Sequence, residues 1–185
     1  MAAINSSTPS QEYLLECFDY NPDTGVLRWK VRPREHFATD RGWRSFNSND
    51  AGHVSGTTYG PGYVGVTING KRHQVHRIIW MMAHGKWPEL HIDHINGNRT
   101  DNRISNLREA TDAENLRNCR IHKDNGTGFK GIHFHKARGK YHAQIMTDGV
   151  KEHLGYFSTP QEAHAAYCAA SDRYHGAFAN HGEQQ

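Results

Sequence analysis

Cysteine is scarce in this chain, and the three that occur, Cys17, Cys119 and Cys168, lie far apart. No Cys-x-x-Cys pair exists, which argues against a disulfide framework and a cysteine-based zinc site and points to a reducing compartment. Long apolar runs are missing too. The longest, Ile78 to Ala83, is far too short to cross a bilayer, and no basic segment followed by an apolar one opens the chain. The expectation is a soluble cytoplasmic protein that binds no membrane. Excess charge is also small: 22 Lys plus Arg stand against 19 Asp plus Glu, a formal +3. That is a weak sign of a nucleic-acid partner until the 15 histidines are counted, because histidine titrates near neutrality and can make the surface more basic. At 185 residues the chain holds one ordinary domain or two small ones, with a modest core.

Local signals divide the chain in two. Thr8-Pro9-Ser10-Gln11 reads as a capping box with Pro at the first helical position, and Leu14, Leu15 and Phe18 form the stripe of a short helix. Val26 to Val31 reads as a strand, and Arg32 to Gly62 mostly as loop. Asn69-Gly70 sits between Tyr63–Ile68 and Lys71–Val75 as a two-residue hairpin turn, followed by a helix from His76 to His84. Trp80, Met81 and Met82 are expected in the core, His84 and His91 on the surface. Asn106 to Ala110 reads as a strand, and Thr111-Asp-Ala-Glu114 as a capping box for a helix through Asn118. Residues 119–128 form a polar linker. Beyond it, Phe129–His135, Lys140–Met146 and Val150–Phe157 are three alternating runs, and the box Thr159-Pro-Gln-Glu162 opens a helix to about His175 whose face is Ala163, Ala166, Tyr167, Ala170 and Tyr174. The fold class expected is α+β, with domains at 1–118 and 129–181.

The stretch His91 to Asn102, HIDHINGNRTDN, sets Asp93 beside His94 ahead of an Asn-Gly turn and a polar loop. Asn106 follows at the start of a strand, and Asn115 in the first turns of a helix. Metal-assisted phosphodiester cleavage needs a hard divalent cation, oxygen ligands and a base within reach of a water. Asp93 and Asn115 can supply the oxygens and His94 the base, while Asn106 can tie the loop back. Each residue alone is ordinary loop or cap chemistry; the spacing of all four favours a site. His76 and Arg77 could contact a phosphate, but a helix-starting His and an Arg lying along the surface serve equally well.

These residues resemble the HNH nuclease family with the ββα-metal fold, in particular phage-type HNH homing endonucleases, over about His76 to Asn118. Gly62-Tyr63, Ile68-Asn-Gly-Lys-Arg72 and His76-Arg77 are similar to the segment that precedes the motif in those proteins. The resemblance implies a metal-dependent endonuclease of a phage or its bacterial host. In it Asp93 and Asn115 hold one Mg²⁺ (or Mn²⁺), His94 is the general base, and Asn106 is the structural residue of the catalytic set. Asn rather than His at the third position suits an oxygen-preferring metal.

In the C-terminal half, Ile132 and Phe134, then Tyr141, Ala143 and Ile145, then Leu154 share the parity that faces the helix. Opposite them stand His133 and His135, then Lys140, His142 and Gln144, then Lys151 and His153, a polar and partly basic face. Phe129-Lys-Gly-Ile132, Tyr141-His-Ala-Gln-Ile145, Leu154-Gly-Tyr-Phe157, Glu162-Ala163, Ala165-Ala-Tyr167 and Asn180 resemble the plant ethylene-response-factor (Apetala-type) DNA-binding domain. The resemblance implies a three-stranded sheet on one helix that contacts duplex DNA through Lys130, His133, His135, Gln144, Lys151 and His153, with Lys140 and His142 on the same face. His replaces several Arg or Trp of that family. A zinc site among these histidines is disfavoured, since no Cys or carboxylate completes it. The reading is a monomeric endonuclease that nicks double-stranded DNA, its alternative a non-enzymatic DNA-binding regulator with a decayed nuclease motif.

Overall fold

The computed structural model describes residues 8–121 and 124–182; His122 and Lys123 of the expected linker lie outside them. In chain order the elements are α1 (Gln11–Cys17), β1 (Phe18–Asn21), β2 (Val26–Trp29), α2 (Asp40–Asn49), β3 (Thr57–Tyr59), β4 (Tyr63–Ile68), β5 (Lys71–Gln74), α3 (Val75–His84), β6 (His91–His94), β7 (Leu107–Ala110), α4 (Asp112–Arg117), β8 (Ile132–His135), β9 (Lys140–Thr147), β10 (Val150–Phe157) and α5 (Pro160–His175). Small antiparallel sheets and five helices make an α+β protein. Among the described residues no helix is long and apolar enough to cross a membrane. Two compact units divide within β7, as Met1–Glu109 and Ala110–Gln185, so α4 belongs to the second.

In the first unit, α1 starts one residue after Ser10, whose hydroxyl accepts from the Tyr13 amide. The cap is therefore Ser10 and not Thr8, and Pro9 lies outside the helix. Gln11 cannot complete a box at Thr8 because its carboxamide donates to the Met82 carbonyl at 2.9 Å. Phe18 leaves the helix stripe and opens β1, where it pairs with Trp29 and stacks on its ring at 4.4 Å. The hairpin β4–β5 turns through Asn69 (φ 50) and Gly70 (φ 76), the two left-handed positions of a primed turn, with Ile68 opposite Lys71. The core gathers Leu14, Phe18, Leu27, Ile68, Val75, Ile78 and Ile79, with Ile92 and Leu107 joining from β6 and β7.

The stretch read as loop contains α2 and β3. Trp43 and Phe46 are the only large apolar residues of α2, too few to announce a helix by periodicity, and its inward face meets Arg32. Trp43 Nε1 and Asn47 Nδ2 both donate to the Arg32 carbonyl, at 3.0 and 2.9 Å. The Arg32 guanidinium, on a residue 6% exposed, lies 4.8–5.7 Å from the rings of Tyr13, Trp29, Phe37 and Phe46. Cation–π attraction of this kind gains strength when water is excluded.

In the second unit β10, β9 and β8 form a meander in that order, with α5 lying chiefly over β9 and β10. The box at Thr159 and Glu162 closes as expected, and so does the one at Thr111 and Glu114. Ile132, Ala143, Ile145, Ala163, Tyr167 and Ala170 make the core. Ser171 and His175 complete the buried face of α5, whereas Tyr174 turns outward to donate to Glu152 at 3.0 Å. Phe134 is 48% exposed because β8 is the sheet edge that α5 covers least.

Candidate active site

Asp93 and His94 end β6, and both are buried, at 6% and 3% exposure. A strand that buries two ionisable side chains in succession must supply each with partners. Asp93 Oδ2 accepts from Arg108 Nε at 2.9 Å and Nη2 at 2.8 Å, across from β7. His94 Nε2 lies 3.0 Å from Oδ1 of Asn102, which is itself only 3% exposed. Neither Arg108 nor Asn102 is singled out by sequence spacing; the Asp-Asn pair at 101–102 reads as loop composition, and Arg108 as one strand residue among several.

The loop after β6 is closed by Asn106. Its amide oxygen accepts from Asn96 N at 3.0 Å, and its Nδ2 donates to Asn96 Oδ1 at 3.0 Å and to the Asp101 carbonyl at 2.8 Å. The Asn106 carbonyl accepts from Ile95 N at 2.9 Å, directly after His94. Asp101 reinforces the closure by accepting from Asn96 Nδ2 at 2.7 Å. Asn106 thus ties both ends of the loop to the residue next to His94.

Burial pushes the His94 imidazole below its ordinary value, an effect opposed by the bond to Asn102 and by the Asp93 and Asp101 carboxylates. That direction favours the neutral ring, the state in which an imidazole can accept a proton. His76 stands edge-on to it at 5.1 Å between centroids, and Tyr63 is tilted at 6.0 Å. His76 is 3% exposed, its Nδ1 has no hydrogen-bond partner, and burial drives its pKa down to about 3. Arg77 faces away from this work: it donates to the carbonyls of Pro88 and Leu90 at 3.0 and 3.2 Å. Arg99 rests 4.8 Å over the Tyr63 ring and donates to the Pro61 carbonyl at 2.6 Å. The structure brings Asp93, His94 and Asn106 together in the first unit. Asn115 is carried by α4 in the second, its amide donating to the Thr111 carbonyl at 2.9 Å.

On the polar face of the second unit's sheet, His142 links two neighbours. Its Nδ1 is 2.7 Å from His133 Nε2 and its Nε2 is 2.5 Å from His153 Nδ1. Burial, and then the neighbouring His133, His153 and His135, push the His142 imidazole below its ordinary value. A bulge between His153 and Gly155 shifts the register of β10 and places Tyr156 opposite His142, stacked at 5.0 Å. Alternation alone could not show that Tyr156 joins this face, with the Arg138 guanidinium 4.5 Å from its ring. His133 pairs with His142, His135 with Lys140, Gln144 with His153 and Met146 with Lys151, so these residues share one side. Lys130 has a different task. Its ammonium donates to the carbonyls of Arg117 and Cys119 at 2.5 and 2.8 Å, capping the end of α4, and burial drives its pKa down to about 8. Asn180 also grips this region, donating to the carbonyl and side-chain oxygen of Asn118 at 3.0 and 2.8 Å.

An Asp-His pair at a strand end thus precedes a loop knotted by an Asn and followed by strand and helix. Residues 73–117 match the HNH endonuclease family. The matched HNH segment runs from β5 through α4. The chain is 35% identical over 79 residues to Protein 3.8 of Escherichia phage T7, covering 42% of this chain and 64% of that protein. It is 30% identical over 108 residues to an uncharacterised HNH endonuclease of Acanthamoeba polyphaga mimivirus, covering 57% and 55%. The chain therefore spans less than two thirds of the length of either relative. A solved structure, of DNA binding and cleavage by the HNH homing endonuclease I-HmuI, has 18% identity and a TM-score of 0.37 over 85% of this chain and 84% of that one.

Proposed function

We propose that the protein is a divalent-metal-dependent endonuclease that hydrolyses phosphodiester bonds in duplex DNA. The observation that supports this most is the buried His94 beside the carboxylate of Asp93, on a loop that Asn106 holds shut. His94 accepts a proton from a water whose oxygen attacks phosphorus in line; the bond to the 3′ oxygen breaks and that oxygen takes a proton from solvent, leaving 5′-phosphate and 3′-hydroxyl ends. Asn106 keeps the His94 backbone still while this happens. Among the described residues no group of three or more His, Cys, Asp or Glu side chains is placed to hold a metal ion. The Asp93 carboxylate is an oxygen donor that suits a hard ion such as Mg²⁺, the ion for which the sequence also suggests the Asn115 amide oxygen. Such an ion would supply charge stabilisation at the phosphate and the leaving oxygen.

The histidine face of the second unit is the proposed docking surface for duplex DNA, through His133, His135, Lys140, His142, Gln144, Lys151 and His153. One catalytic motif per chain makes a monomer a nicking enzyme. One observation favours the alternative of a DNA-binding protein without activity: Arg108 already holds the Asp93 carboxylate. Incubating the protein with supercoiled plasmid and Mg²⁺ decides between them. Appearance of the nicked circle, and its loss in His94→Ala, supports the enzyme; plasmid retained in a shifted but uncut complex supports the regulator.

A further inference from the structure

We propose that Asn102 is a positioning residue that fixes the tautomer and orientation of His94, an inference that rests on the reading of His94 as the general base. His94 Nε2 and Asn102 Oδ1 are 3.0 Å apart, and each residue is 3% exposed. An amide oxygen only accepts, so the neutral imidazole carries its proton on Nε2 and its lone pair on Nδ1. The opposite tautomer would set two acceptors against each other in a site with little water and leave both unsatisfied. His76, edge-on at 5.1 Å, and Tyr63, at 6.0 Å, flank the ring and oppose its flipping.

The backbone of Asn102 is held from the far end of the sequence. Tyr20 Oη donates to the Asn102 carbonyl at 3.1 Å and accepts from Ile104 N at 2.8 Å. Gly25, at φ +73 in the turn between β1 and β2, comes so close that a Cβ there would lie 2.7 Å from the Asn102 carbonyl carbon and 2.5 Å from Arg103 N. The bonds that close the loop run through Asn96, Asp101 and Asn106, and the Asn102 amide oxygen serves His94 instead. The hairpin β1–β2 therefore buttresses the residue that orients the base. Orientation of a base through a fixed hydrogen bond decides which ring nitrogen carries the lone pair.

The test reads the tautomer directly. The full chain, labelled with ¹⁵N in histidine, is examined by long-range ¹H–¹⁵N correlation at about pH 8, where an ordinary His is neutral. The parent is expected to show His94 with the proton on Nε2. Asn102→Leu is expected to give a mixture of tautomers, with single-turnover nicking slowed about 10²-fold or more and DNA affinity unchanged. Asn102→Asp, which keeps an acceptor, is expected to hold the parent tautomer. A parent with the proton on Nδ1 overturns the proposal without any variant, and so does Asn102→Leu with the parent's tautomer. Where Asn102→Leu does not fold, the parent spectrum and Asn102→Asp decide. His94→Ala is measured beside them: full cutting by that variant would remove His94 as the base, while the tautomer spectrum would still report what Asn102 does.

Discussion

Arg108 directs two donors at a single oxygen of Asp93, Nε at 2.9 Å and Nη2 at 2.8 Å, from the strand paired with its own. The side chains are 17% and 7% exposed, so the pair is largely withdrawn from water. The guanidinium also brings positive charge to the carboxylate proposed to hold a cation. Arg108→Leu should therefore destabilise the protein by about 3–5 kcal/mol, the usual cost of leaving one member of a buried pair behind. Mg²⁺ should restore part of the lost melting temperature, and the Mg²⁺ midpoint for nicking should fall. If Mg²⁺ leaves the melting of this variant unchanged, Asp93 is not a ligand.

His94→Ala should reduce nicking by about 10²–10⁴-fold, the range over which a positioned base contributes, while DNA affinity stays near that of the parent. Asp93→Ala and Asn115→Ala should both be slow and partly rescued by raised Mg²⁺. Rates that do not depend on metal in any variant would count against the single-ion site.

Asn106 makes its three side-chain bonds inside the loop. Asn106→Leu keeps the volume but leaves Asn96 N and the Asp101 carbonyl without those partners, at a cost of about 2–4 kcal/mol in thermal unfolding. Cutting should fall with it even where the variant remains folded, because the amide of Ile95 is bonded to the same residue. Parent-like melting and cutting by this variant would remove Asn106 from the site's support.

His76 should make the protein acid-sensitive. Its folded pKa, about 3, lies below the ordinary 6.5, with burial first and the neighbouring His94 and Arg77 next as causes. The unfolded chain therefore binds a proton that the native state refuses. Stability is complete above about 6.5 and is lost at about 1.4 kcal/mol per pH unit as pH falls below it, until the folded group also titrates. His76→Phe should flatten that slope by about one proton in denaturant titrations across this range. An unchanged slope would mean that His76 is charged in the native protein.

The histidine face should couple DNA binding to protons. The imidazole of His142 is held below its ordinary value in the free protein, whereas nearby phosphates favour the charged form. Binding then takes up protons, so affinity rises as pH falls from about 8 to about 6 and the salt dependence steepens with it. Affinity of the His94→Ala protein for duplex DNA at fixed salt is the measurement. Replacing His133, His142 and His153 by Gln should flatten the profile, and Lys140→Glu with Lys151→Glu should weaken binding at every pH. Flat affinity in the parent would show that these histidines do not meet DNA as imidazolium.

Residues that act on their near neighbours in sequence were legible without the fold. The capping boxes at Thr111 and Thr159, the Asn69-Gly70 turn, the helix after it and the alternating strands of the second unit each depend on a few adjacent residues. So did the Asp93-His94 pair, because the chemistry it suggests follows from residue type and spacing. What the tertiary structure decided is everything that joins distant residues. Asn102 meets His94 across the loop, with Tyr20 and Gly25 behind it; Arg108 meets Asp93 across a strand pair; α2 binds the Arg32 carbonyl through Trp43 and Asn47 and lays Phe46 near its guanidinium. The bulge after His153 brings Tyr156 to the histidine face, and Lys130 turns from that face to the end of α4. Local patterns report backbone preference and burial of apolar surface. Buried polar groups find their partners wherever the folded chain delivers them, and no periodicity records that choice.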